Sequence, residues 1–63
     1  MADFKTRLLT ERDELAGRLA KLNDFIVTDQ FNNIDEAQQA LLIVQSSAMA
    51  TYLSVLNQRL YIL

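Results

Sequence analysis

From Ala37 to Gln58 the chain runs without a charge, a proline or a glycine, and nothing in that stretch forces a break in a helix. With Glu36 before it and Arg59 after it, one helix from about Glu36 to Tyr61 is expected, on the order of 40 Å long at 1.5 Å per residue. Its centre is unusual. Ser46-Ser47-Ala48-Met49-Ala50-Thr51 places small side chains where a packed helix ordinarily presents Leu or Ile. Either another backbone approaches closely there, with the hydroxyls bonding back to their own helix, or a gap is left for a ligand.

The apolar pattern of this helix is wider than one neighbour can cover. Ala37, Leu41, Val44, Ala48, Val55 and Ile62 form one stripe; Leu42, Met49, Leu53, Leu56, Leu60 and Leu63 form a second beside it. A helix apolar around much of its circumference is buried on several sides. The second stripe is therefore assigned to an oligomer or partner interface.

The first half carries a single stripe. Met1, Leu8, Leu15 and Leu22 recur at heptad spacing, with Phe4, Leu19 and Ile26 between them, so a first helix is expected over about residues 4–28 with Asp3 as its N-cap. Its other face holds Lys5, Arg7, Glu11, Glu14, Arg18 and Lys21, in which Arg7–Glu11 and Glu14–Arg18 are i,i+4 pairs. Between the helices, residues 29–35 read as a connection rich in Asp and Asn. Phe31 and Ile34 are its plug over the core, and Asp35 with Gln38 has the form of a capping box. A short connection makes long helices antiparallel neighbours. The expected fold is all-α: one domain, an antiparallel two-helix hairpin that self-associates into a helical-bundle oligomer.

Composition narrows the function. The 63 residues include no Cys and no His, which removes disulfides, thiolate metal sites, the commonest metal ligand and the usual general base. No Gly-rich phosphate loop is present. The acidic residues Asp24, Asp29, Asp35 and Glu36 do not have EF-hand spacing. No catalytic residue, metal or cofactor is assigned, and the chain is not expected to be an enzyme. A net charge of −2 argues against non-specific nucleic-acid binding. No basic n-region precedes an apolar run, so the cytoplasm is expected. Residues 37–58 are long enough to span a bilayer, but their Gln, Ser, Thr and Asn side chains make this unfavourable. A chain this small is near the limit at which one core suffices, and a hydrophobic fraction of 51% again favours self-association.

If the hairpin turns near Phe31, Leu15 lies level with Ser47 and Arg12 with Ala50. The small residues then face the polar interruption of the first stripe at Glu11 and Arg12. On that register Arg12, Gln45, Ser46, Ser47, Tyr52 and Arg59 are candidates to line a shallow cleft: Arg offers a fork for phosphate or carboxylate, an aromatic face stacks on a base, and Gln reads donor–acceptor pairs.

The opening FKTRLLTERDELAGRLAKLNDFI, the exit TDQFNNIDEAQQALL, and Gln45, Ala48-Met49, Tyr52, Leu56 and Arg59 at their spacings resemble the small phage and prophage helical-hairpin proteins grouped with a crAss-like phage protein. The sequence departs from them in its second helix, where Ala, Ser and Val stand at positions expected to be charged. The resemblance implies a phage accessory protein and carries over no catalytic residue. Its expected role is counter-defence by binding, through sequestering a nucleotide-like immune signal or blocking a host defence protein. The alternatives are an interaction adaptor without a small ligand and a holin-like membrane-active protein.

Overall fold

The computed structural model describes residues 3–63 and is all-helical, with three helices: α1, Phe4–Ile26; α2, Asp29–Asn32; and α3, Glu36–Tyr61. Met1, the first member of the expected stripe, lies outside the described residues. Asp3 is extended and its carboxylate accepts the Thr6 backbone N–H at 2.7 Å, a cap that fixes where α1 starts. At the other end Thr28 Oγ1 donates to the Phe25 carbonyl at 2.7 Å. That bond competes with further helical turns, and α1 stops at Ile26.

The connection is more ordered than a loop. Four residues fold into α2, which carries Phe31 into a buried position against the Phe25 ring, edge to face at 5.9 Å. Phe31 is thus the plug its apolar character indicated, while Ile34 is only half-buried. The expected capping box is absent. Asp35 makes no side-chain bond to the helix it precedes. Gln39, one residue beyond the anticipated partner, donates its amide to the carbonyls of Ile34 at 2.9 Å and Asn32 at 3.3 Å. It thereby satisfies acceptors that the end of α2 leaves open.

The helices α1 and α3 pack side by side in opposite directions: Phe4 meets Arg59, Glu11 meets Tyr52, and Asn23 meets Ser46. Leu8, Leu15 and Leu56 form the core, with Met49, Leu53 and Leu60 packed against them. Here the two stripes of α3 exchange roles. The Leu- and Met-rich one, assigned from sequence to a partner, is turned inward, and Leu56 is the most deeply buried side chain, at 0% exposure. Leu42 is half-buried; only Leu63, beyond the end of α3, stays open. The physical reason is size. Long γ-branched side chains bury more apolar area against the leucines of α1 than Ala and Val do.

The stripe left outside is therefore Ala37, Leu41, Val44, Ala48, Val55 and Ile62, with Leu41 and Val44 more than 60% exposed. The small residues belong to this outer side. Ser47, Ala48, Ala50 and Thr51 are exposed and do not separate α1 from α3. Thr51 Oγ1 bonds back to the Ser47 carbonyl at 3.2 Å, and only Ser46 crosses to α1, donating to Asn23 Oδ1 at 2.6 Å. By length and composition α3 is apolar enough to cross a membrane, with a mean hydropathy of 1.3 over its best window.

Candidate functional site

At the end of the molecule away from α2, a pocket of about 300 Å³ opens between the start of α1 and the end of α3. Phe4, Arg7, Leu8 and Glu11 line it from α1 and Arg59 from α3. Helical spacing accounts for the α1 contribution, since residues at i, i+3, i+4 and i+7 share one face. Arg59 comes from the last turn of α3, where a cation is favoured by the helix dipole. Its guanidinium carbon stands 5.6 Å from the Phe4 ring centroid, within cation–π range.

The charges are arranged unexpectedly. Glu11 lies one turn from Arg7, yet among the described residues the two form no ion pair. The Tyr52 hydroxyl donates to Glu11 Oε2 instead. This bond, then burial and the nearby carboxylate charge, raises the Tyr52 pKa above its ordinary 10.0. Tyr52 therefore remains a donor through the neutral range. Arg7 and Arg59 are left without a carboxylate partner among the described residues. The pocket thus presents two guanidinium groups, an aromatic face, an apolar floor at Leu8 and one carboxylate held at its side.

The expected cleft is not assembled as a unit. Arg59 lines the pocket and Tyr52 reaches it through Glu11, but Arg12 is drawn elsewhere: it donates to Asp13 at 2.7 Å and to Asn57 at 3.0 Å. Asn57 is almost three turns, about 15 Å, along α3 from Ser47. Ser47 lies on the outer surface, and Gln45 donates to its neighbour Met49 Sδ at 3.8 Å. Sequence reasoning missed Phe4, Arg7 and Glu11. The available signal was their common face, placed opposite the only cation in the last third of the chain.

Fold and site together define a small all-helical protein with an open basic-aromatic pocket. A family model described as Sequestin matches residues 2–62, and the chain belongs to the Sequestin family. No curated protein and no solved structure matches it.

Proposed function

We propose that this chain binds and withholds a small anionic ligand carrying an aromatic ring, of the nucleotide type, without chemically converting it. The observation that carries the proposal is the pairing of Arg7 and Arg59 around Phe4 in one pocket. Guanidinium groups without carboxylate partners suit phosphate, and an aromatic face beside them suits a base. The family description, with its sense of sequestering, agrees with binding as the activity. In a phage-encoded protein such binding would be counter-defence, removing an immune signal in the host cytoplasm.

Isothermal titration against cyclic nucleotides and ADP-ribose derivatives tests this reading. Heat is expected with at least one, falling at least about tenfold in affinity on Arg7→Ala or Arg59→Ala, the loss of one charge-assisted contact. Absence of heat with every compound rejects it.

Self-association is part of the same proposal, and its surface is the outer stripe of α3. The radius of gyration is 14.5 Å, against about 11 Å for a compact chain of this length. The accessible surface is 4850 Å², where a monomer of this mass ordinarily exposes about 4100 Å². The excess is close to the roughly 800 Å² that each partner gives up in a standard interface. A second copy is the occupant that fits, because the need for cover is present whenever the chain folds.

A further inference from the structure

We infer that Glu11 sets the selectivity of the pocket: it favours an anion that carries an N–H or O–H donor beside its charge over one that lacks the donor. The inference rests on the ligand reading above and concerns the chemistry that the same site accepts.

Three observations support it. Glu11 is one of the five residues lining the pocket. Only its Oε2 is engaged by Tyr52, and among the described residues Oε1 has no hydrogen-bond partner. Moreover, among the described residues Glu11 makes no ion pair with Arg7, which precedes it by four residues, the weaker order of charges for such a pair. A carboxylate used to neutralise Arg7 would close the anion site; one pinned by Tyr52 leaves that site open and offers an acceptor next to it.

A bound ligand then meets two donors for its charged group and one acceptor for a neighbouring donor. A ligand that leaves the carboxylate facing nothing forfeits the hydrogen bond and keeps the repulsion. Tyr52 is the positioning residue here, since it touches Glu11 and acts through it.

Two probes separate the donor from the charge by titration: adenosine monophosphate, whose ribose hydroxyls stand beside its phosphate, and the same nucleotide lacking both hydroxyls. Wild-type protein is expected to bind the first about tenfold more tightly than the second, as one charge-assisted bond implies. Glu11→Ala should bring the two affinities to within about twofold of one another. Glu11→Gln, which keeps an acceptor and loses the charge, should retain part of the preference for the hydroxyls. Tyr52→Phe should weaken monophosphate binding in the wild-type background and leave it unchanged in Glu11→Ala, a coupling that a merely structural role for Tyr52 would not show. Equal binding of both probes by wild type, or a Tyr52→Phe effect that persists without Glu11, overturns the inference and leaves the ligand reading standing. Failure of both to bind, while another anion of the wider panel does, also overturns it. Failure of every compound rejects both.

Discussion

The ionisation of Asp3 and that of Tyr52 bear on the fold at opposite ends of the pH scale. The Thr6 backbone N–H, and after it the Thr6 hydroxyl, holds the Asp3 carboxyl below its ordinary 3.8. A depressed pKa contributes stability that is present above 3.8 and lost as pH falls through the lower folded value. For Tyr52 the direction is reversed. Its pKa is raised from 10.0, so its contribution is full below 10.0 and lost as pH rises through the folded value. Thermal melts followed by circular dichroism at pH 8 to 11.5 should show wild type losing more melting temperature than Tyr52→Phe at the alkaline end. Parallel curves would show that the Glu11–Tyr52 bond has no weight in solution. At acid pH, Asp3→Ala should lack the component of wild-type loss that sets in below about pH 4, where the cap is protonated.

At the scale of the element, periodicity locates α1 and α3 but leaves open which way α3 is turned. Both stripes of α3 are apolar, and counting apolar positions treats Ala48 and Leu56 alike. Packing does not, because a leucine buries far more surface than an alanine, and the Leu-rich stripe goes inward. Leu56→Ala should therefore destabilise the fold by about 2–5 kcal/mol, as buried leucine truncations do, whereas Leu41→Ala on the outer stripe should change monomer stability by less than about 0.5 kcal/mol. Denaturation midpoints at low protein concentration compare the two directly. Similar losses would mean that the faces are not distributed as described. The capping box failed for a related reason. Asp35 and Gln38 have the right spacing, yet Asp35 makes no side-chain bond to α3, and it is Gln39 whose amide ties the start of α3 to the Asn32 and Ile34 carbonyls that α2 brings alongside. Around the pocket, Arg59 and Tyr52, which reaches it through Glu11, were readable as chemistry-bearing residues; Phe4 read as part of the apolar stripe and Arg7 and Glu11 as solvated surface, because the edge they share becomes a pocket only when α3 lies against it.

For the whole molecule, the question posed by the small residues at 46–51 becomes one about assembly. Ala48 sits midway along the exposed stripe, between Val44 and Val55, and an alanine at the middle of an apolar seam lets a second helix approach closely. The chain is 45 Å long and only 14 to 18 Å across, so a second copy laid lengthwise, α3 along α3, would cover the stripe over most of its length. Light scattering at micromolar concentration should report a multiple of the 7.2 kDa chain mass. Ala48→Glu, which places a charge at the centre of the seam and leaves the Leu8–Leu15–Leu56 core untouched, should return the mass toward that of one chain, with the helical signal reduced in proportion to the stability lost. Leu53→Asp is the contrasting variant. Because Leu53 packs inward, it should unfold the chain rather than yield a folded monomer. If wild type has the mass of one chain from micromolar to millimolar concentration, the outer stripe is simply solvated. If Ala48→Glu leaves the mass of the assembly unchanged, the copies meet elsewhere, and the small residues of α3 have no part in joining them.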